Sequence, residues 1–342
     1  MVVPVTIRQW PAPIAAEPGQ SILEAALKAG VPYPHGCRSG TCGACKSRLL
    51  SGKVSLAPYS KFALSEAERQ RGLILACRAR TAEPVEVAWL ELGDEITHPI
   101  RVLGCRVAGL EDLTHDIKGV SLAIETGRPF TFAAGQYASL TFPGQRPRDY
   151  SMASRPSEAR LDFHIRRMQG GSASAFVTSE LKPGAPVELE GPFGQCYLRL
   201  AHDGPGLAIA GGSGLAPIKS IVETALAQGK TQPIHLYFGV RDERDLYLEE
   251  HFLRLARDFR NLRFVPVLSH ARAPTGRRTG MLHQALAADF QTLAGAKAYV
   301  AGPPVMVEAV VPVLLERGLR ADDLHADPFT TEADKVEGAA SA

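Results

Sequence analysis

Four cysteines constrain this chain more than any other feature. Cys37, Cys42 and Cys45 follow the spacing C-x4-C-x2-C, and Cys77 comes well downstream. The stretch around them reads His35-Gly36-Cys37-Arg38-Ser39-Gly40-Thr41-Cys42-Gly43-Ala44-Cys45, with small residues and glycines between the sulfurs. At this spacing four thiolates hold two irons, the plant-type 2Fe–2S arrangement. A loop that wraps such a cluster must turn amide N–H groups toward the sulfurs, and glycine tolerates the backbone angles this requires. Zinc is the competing occupant, but structural zinc favours closely spaced pairs over a compact triplet with a lone fourth ligand. A disulfide framework is disfavoured, because a chain of 342 residues needs no such staples. Cys105 and Cys196 stand outside any motif and read as buried free thiols. This cysteine usage implies a reducing compartment, and a cytoplasmic protein is expected.

The length accommodates two or three domains. A hydrophobic share of 45% and a charged share of 22% are ordinary for a soluble globular protein. Residues 1–20 carry Pro4, Pro11, Pro13 and Pro18 where an apolar targeting run would sit. The apolar stretches are too short for a membrane span. A net charge of +2 makes no case for nucleic acid. Residues 1–98 hold 11 Lys+Arg against 9 Asp+Glu, residues 99–200 hold 12 against 10, and residues 201–342 hold 15 against 17. The cysteine segment is therefore not acidic, and a protein docking on it need not present a strongly basic face.

Three segments follow one another. In the first, residues 1–95, a strand over Val2–Ile7 precedes a helix over Ile22–Ala29 with Ser21 as N-cap. Strands over Ser47–Leu50, Leu73–Cys77 and Val85–Leu90 come after the cysteine loop, which suits a small mixed sheet over one helix. In the second, residues 99–200, short β-type runs over Arg101–Val107, Val120–Ile124, Tyr137–Thr141, Leu161–Ile165 and Val187–Glu190 predict an antiparallel barrel. In the third, residues 204–330, strands over Leu207–Ala210, Ile234–Gly239, Phe264–Leu268 and Ala298–Ala301 alternate with helices over Ile218–Ala227, Leu246–Asp258 and Pro304–Leu315. That alternation predicts a parallel sheet binding a nucleotide at its C-terminal edge. Residues 331–342 read as a disordered tail.

Arg148-Asp149-Tyr150-Ser151 lies between predicted strands of the barrel segment. Alone, it reads as a salt bridge, a packed ring and a turn serine. In context it offers what a flavin needs: a ring for one isoalloxazine face, a hydroxyl near N5 and a cation for the pyrophosphate. His164-Ile165-Arg166 comes next, then Gly170-Gly171-Ser172-Ala173-Ser174 opening a helix over Ala175–Leu181. A glycine-rich turn at a helix start presents free N–H groups and a positive dipole end to a diphosphate. Further on, Gly212-x-Gly214-x-x-Pro217 follows a strand and precedes a helix. It departs from the Rossmann fingerprint by placing proline at the third position, where the missing N–H is no loss in a first helical turn. Gly302-Pro303-Pro304 is a second strand-end turn of this kind.

Taken together and in this order, these motifs resemble the ferredoxin–NADP reductase superfamily. More narrowly, they are similar to reductase components of bacterial oxygenases with an N-terminal plant-type ferredoxin. The resemblance implies a β-grasp ferredoxin domain, an antiparallel β-barrel flavin domain and a parallel-sheet, Rossmann-like nucleotide domain. It implies Cys37, Cys42, Cys45 and Cys77 as cluster ligands. Arg148, Tyr150, Ser151, His164, Arg166, Gly170, Gly171, Ser172 and Ser174 are the expected FAD-site residues, with Tyr150 and Ser151 nearest the chemistry. Gly212, Gly214, Pro217, Gly239, Arg241, Gly302 and Pro303 are expected at the nicotinamide nucleotide. Two departures stand out: Ala301 occupies a position where many relatives carry cysteine. Asp327-Pro328-Phe329 stands where relatives often carry Glu-x-Phe, so Phe329 either covers the flavin or simply packs.

The implied activity is NADH to FAD to 2Fe–2S to a partner protein. A cluster of this type lies near about −400 mV, which runs downhill to a Rieske centre, a diiron site or a haem. The expected acceptor is a terminal oxygenase, foremost a Rieske aromatic-ring hydroxylase or O-demethylase. Diiron or haem monooxygenases and a deoxysugar dehydratase are the alternatives, and a redox-sensing binding module is disfavoured. NADH is expected over NADPH, because three acids in Gly239-Val240-Arg241-Asp242-Glu243-Arg244-Asp245 would repel a 2′-phosphate that Arg241 and Arg244 could bind. A monomer is the expected state.

Overall fold

The computed structural model describes residues 2–90, 98–126 and 129–330. The predicted tail, and the end of the first segment at residue 95, fall outside the described residues. The chain divides into two compact units, one built on residues 1–95 and the other holding most of residues 96–329.

The first unit is a five-stranded mixed sheet in the order Ile14–Ala16, Val3–Ile7, Val85–Trp89, Lys46–Ser51, Leu73–Leu75. Val3–Ile7 and Val85–Trp89 run parallel and the other pairs antiparallel, a β-grasp arrangement. The single long-range helix, Ile22–Lys28, is started by a capping box: Glu24 N–H donates to Ser21 Oγ (3.2 Å) and Ser21 N–H to the Glu24 carboxylate (2.8 Å). Satisfying both orphan donors is worth about 1 kcal/mol. The helix buries Ile22, Leu23, Ala25 and Ala26 against the sheet. A second capping box, Ser65 with Glu68, starts the short helix Glu66–Gln70, which periodicity alone does not reveal.

A two-stranded antiparallel pair, Ser55–Leu56 with Ala79–Arg80, completes the first unit, and the second unit contains the two six-stranded sheets. Its six antiparallel strands follow the order Arg148–Ser151, Tyr137–Thr141, Pro186–Phe193, Arg101–Asp112, Ile117–Thr126, Leu161–Arg166. A bridge between Met152 and Phe163 links the two ends and closes the barrel. Alternate residues such as Leu103, Cys105 and Val107 point into its core with Phe163 and Leu189. The parallel sheet has the order Arg278–Thr279, Leu262–Leu268, Ile234–Val240, Gly206–Gly211, Lys297–Gly302, Leu324–Pro328. Helices Leu215–Ala227, Glu249–Asp258, Leu282–Asp289 and Pro304–Glu316 flank it.

Several expectations shift. Arg148–Ser151 is itself a strand, paired with Tyr137–Thr141. The helix expected over Ala175–Leu181 runs Ser172–Ser179. The helix expected from Leu246 starts at Glu249, because a 3-10 turn over Glu243–Asp245 and a left-handed Leu248 (φ 56°) interrupt it. Strand Leu73–Leu75 ends before Cys77, which sits in the following turn. Strand Leu324–Pro328 and helix Leu282–Asp289 are further elements that the sequence pattern does not single out. Among the described residues, no helix is long and apolar enough to cross a membrane.

Candidate functional site

The cluster loop turns its backbone onto sulfur. The N–H groups of Ser39, Thr41 and Cys42 lie 3.4, 3.3 and 3.4 Å from Cys37 Sγ, that of Cys37 lies 3.3 Å from Cys42 Sγ, and that of Cys77 lies 3.5 Å from Cys45 Sγ. Gly40, at φ +81°, makes this path possible: a Cβ there would lie 2.8 Å from Arg78 Cγ and 3.0 Å from Tyr59 Cβ. All six cysteines are free. The four candidates form two pairs. Hydrogen bonding by Cys42, with smaller help from Ser39 and Thr41, lowers the Cys37 thiol to about 4 against the effect of burial, and Cys37 together with burial raises Cys42. Cys77 lowers Cys45 in the same way, and Cys45 raises Cys77.

This pairing discriminates between one metal and two. Around a single tetrahedral zinc, Zn–S bonds of about 2.3 Å would put all four sulfurs about 3.8 Å apart. Among the described residues, the only three metal-ligating side chains within 4.8 Å of one another are His115, Asp116 and Asp245, and no three of the cysteines are. Two pairs of sulfurs fit a two-iron centre, with one pair for each iron.

On the barrel, the Arg148–Ser151 strand presents Tyr150 half-buried, edge-on to Phe142 with centroids 6.3 Å apart. Burial pushes the Tyr150 phenol up to about 12, so it stays protonated. The Arg148 guanidinium donates to the Pro147 carbonyl (2.9 Å). The buried Ser151 hydroxyl donates to Asp327 (3.5 Å), joining positions 176 residues apart. The chain just after Ser151 is pinned to the nucleotide helix Leu215–Ala227: Lys219 donates to the Ala153 carbonyl (3.3 Å) and Ser220 to that of Ser154 (2.7 Å). Gly170, Gly171 and Ser172 form the turn that opens helix Ser172–Ser179, with Gly171 at the N-cap. The Ser174 hydroxyl closes that turn, donating to Gly171 O (3.1 Å) and accepting from Met168 N–H (3.0 Å).

His164 and Arg166 face a different neighbour from the one their place in sequence suggests. His164 Nδ1 lies 3.0 Å from the Tyr247 hydroxyl, which donates to the Gly212 carbonyl (3.4 Å). Burial, helped by Lys219, lowers His164 to about 3 and keeps it neutral. The Arg166 guanidinium reaches over Gly212 and is held by Asp116 (2.8 Å). Burial opposes ionisation of Asp116, but the Arg166 hydrogen bond and charge prevail and lower its pKa. Tyr247 and Asp116 carry no motif; only the packing exposes their part.

Strand order creates the nucleotide crevice. Gly206–Gly211 leads to Ile234–Val240 on one side and lies beside Lys297–Gly302 on the other, so its C-terminal end is the topological switch point where parallel sheets bind ligands. Gly212 and Gly214 form a 3-10 turn there, and Pro217 lies in the first turn of the following helix. Gly302 and Pro303 arrive from the neighbouring strand, Pro303 as N-cap of Pro304–Glu316. A Cβ on Gly214 would overlap the Ala301 carbonyl, so the two strand ends touch through backbone alone. Ala301 itself is fully buried. The Phe329 amide donates to the Gly302 carbonyl (2.8 Å), and its ring packs on the core of this unit. Gly239, one residue before the end of the next strand, packs against Leu282, and Arg241 is exposed. Asp242 caps the following turn and pairs with Arg272 (3.4 Å), while Glu243 pairs with Arg277 (2.7 Å).

A paired thiol centre, a flavin-type barrel and a parallel-sheet crevice define an NAD(P)H-dependent flavin and iron–sulfur oxidoreductase. Comparison with known proteins agrees along the chain. Residues 5–82 match a 2Fe-2S iron-sulfur cluster binding domain, residues 104–197 an oxidoreductase FAD-binding domain, and residues 208–311 an oxidoreductase NAD-binding domain. The ferredoxin–NAD(P)(+) reductase component of naphthalene 1,2-dioxygenase/salicylate 5-hydroxylase systems from Ralstonia sp. is 39% identical over 92% of this chain and 94% of its own length. The reductase component of phenol 2-monooxygenase from Pseudomonas sp. (strain CF600) is 37% identical over 96% and 95%. The crystal structure of an Amycolatopsis cytochrome P450 reductase superposes with a TM-score of 0.78 at 37% identity, covering 96% of this chain and 99% of that one. The chain belongs to the ferredoxin–NADP reductase superfamily, in the group that carries an N-terminal 2Fe–2S ferredoxin domain.

Proposed function

We propose that this chain is the reductase component of a terminal oxygenase that acts on an aromatic substrate, oxidising NADH and delivering electrons singly. The observation that carries this reading is the splitting of four cysteines into two pairs in a chain that also carries a complete flavin–nicotinamide unit: a simple flavin reductase has no use for the first. Cys37 with Cys42, and Cys45 with Cys77, would each hold one iron. The cluster belongs to residues 1–95, the flavin to 99–200 and the nicotinamide to 204–330. FAD, when bound, supplies the exchange between a two-electron donor and one-electron acceptors.

The chain's own groups orient and insulate. Arg148 and the helix start at Gly170–Ser174 would hold the flavin diphosphate. Tyr150 offers a neutral ring. The Ser151 hydroxyl donates its hydrogen bond to Asp327, which would leave its oxygen lone pairs to accept from a bound flavin. Neutral His164, through Tyr247, and Arg166 brace the Gly212 turn against which the nicotinamide nucleotide would lie. NADH is the preferred donor because the loop after Gly239 carries Asp242, Glu243 and Asp245 against Arg241 and Arg244. The named relatives serving naphthalene and phenol systems support an aromatic substrate, with a Rieske-type partner first; the P450 reductase likeness favours a haem partner as the second reading.

The test is an anaerobic titration of the purified protein, with NADH and NADPH in parallel, followed in the visible spectrum. Flavin bands and a broad iron–sulfur shoulder should both bleach, at lower NADH than NADPH. Bleaching of flavin in protein lacking iron and sulfide would leave a plain flavin reductase instead.

A further inference from the structure

We propose that Tyr33 and Ser47 are positioning residues of the cluster: acting in series, their hydroxyls hold the Cys45 carbonyl and raise the potential at which the cluster takes its electron. The proposal rests on the reductase reading above. Ser47 Oγ donates to the Cys45 carbonyl (3.1 Å), and the Tyr33 hydroxyl lies 2.6 Å from Ser47 Oγ. A serine hydroxyl carries one proton. Ser47 gives it to Cys45, so Tyr33 is the donor to Ser47, and both O–H dipoles point their positive ends toward Cys45. Hydroxyls linked head to tail polarise one another, and they act more strongly where water is excluded.

Water is excluded here, since Tyr33 is 2% exposed and Ser47 0%. The Tyr33 ring stands edge-on to Trp89, centroids 5.2 Å apart, and Ser47 lies opposite Trp89 across the paired strands. Among the described residues of the first unit, the buried serines are Ser47 and Ser21, and Ser21 caps a helix. Burying hydroxyls costs free energy unless they are bonded, and a phenylalanine with an alanine would pack in nearly the same volume. What the two hydroxyls add is a grip on Cys45. Consecutive amides complete that grip: Ala76 N–H donates to the Cys45 carbonyl (3.1 Å) and Cys77 N–H lies 3.5 Å from the Cys45 sulfur. Charge on Cys45 acts on the Tyr33 phenol, so by Coulomb's law the phenol dipole acts on charge at Cys45 in return. Reduction adds one negative charge to the cluster, and the positive dipole ends facing it favour the reduced form.

The test is an anaerobic redox titration of the holoenzyme with dithionite and mediator dyes, which gives the cluster potential and, as an internal reference, the flavin potential. At a fixed applied potential, Ser47→Ala should lower the reduced-to-oxidised ratio of the cluster about tenfold, which is about 59 mV for one electron. Tyr33→Phe, which removes one oxygen and keeps the ring, should lower it about threefold. The double variant should match Ser47→Ala, because without Ser47 the phenol has no route to the Cys45 carbonyl. It should also unfold at higher urea than Ser47→Ala, since it no longer buries an orphaned phenol. The flavin potential should stay constant throughout. An unchanged cluster potential in either single variant, shifts that add in the double variant, or loss of iron from either single variant overturns the relay alone. Wild-type protein without iron and sulfide overturns the reductase reading, and the relay with it.

Discussion

The cluster loop and the nucleotide loop are both glycine-rich, and they use glycine for opposite purposes. At Gly40 a positive φ turns amide groups inward, so that sulfur becomes the acceptor of five backbone N–H bonds in and around the loop. At Gly214 the need is to have nothing at all between two strand ends, because the Ala301 carbonyl fills the space of a side chain. The first site is local and chemical: ligand type and spacing define it. The second is assembled from segments about 90 residues apart in sequence, and it exists only once the sheet order is set. A binding loop can thus be a motif or a meeting place, and the two kinds should fail differently when altered.

The largest effect is expected at Cys77. It comes from a turn outside the triplet, yet it is paired with Cys45. Cys77→Ser should reduce NADH-driven cytochrome c reduction by more than about tenfold while anaerobic bleaching of the flavin by NADH persists, since losing even a group that only orients a ligand costs about 10- to 100-fold. Parallel loss of both would mean that the two units are not separable in function, and the contrast drawn above would break. Next comes Gly214→Ala. The added methyl meets backbone rather than a flexible side chain, so the strand ends must part, at about 3 kcal/mol. NADH affinity should fall more than tenfold and the thermal midpoint should drop, while the iron–sulfur absorbance stays. An unchanged midpoint would show that the turn can yield without disturbing the sheet.

How much was legible in advance follows from the same contrast. The iron–sulfur domain, the order of the three segments and the alternation of the parallel sheet were readable because each is written in local spacing or periodicity. The Arg148–Ser151 strand was hidden, since an alternation of charged, aromatic and hydroxyl residues gives no apolar face to recognise. The link from Ser151 to Asp327 was invisible for a different reason: it joins a barrel strand to the edge strand of another sheet. His164 and Arg166 could be singled out by their place after the barrel motif, but their partners could not. Tyr247 and Asp116 sit in irregular segments, where neither period nor motif marks a residue, and only packing directs them to Gly212.

The smallest effect is the one that separates the two loops by pH. Arg166 and Asp116, with side chains 26% and 20% exposed, form a partly sheltered ion pair beside Gly212. The folded pKa of Asp116 lies below its ordinary value. Such a carboxylate stabilises the fold at all pH above its unfolded pKa of about 3.9, and the contribution is lost as pH falls through the lowered folded value. Asp116→Asn should therefore destabilise the second unit by about 1 kcal/mol at pH 7, measured as the shift in its urea midpoint. The gap between wild type and variant should stay constant from about pH 7 to about pH 5 and narrow only below about pH 4. Closure of the gap already at pH 6 would show that the Arg166–Asp116 ion pair is not what the substitution removes, and the contrast between a loop set by ligand spacing and one held by packing and charge would lose its second half.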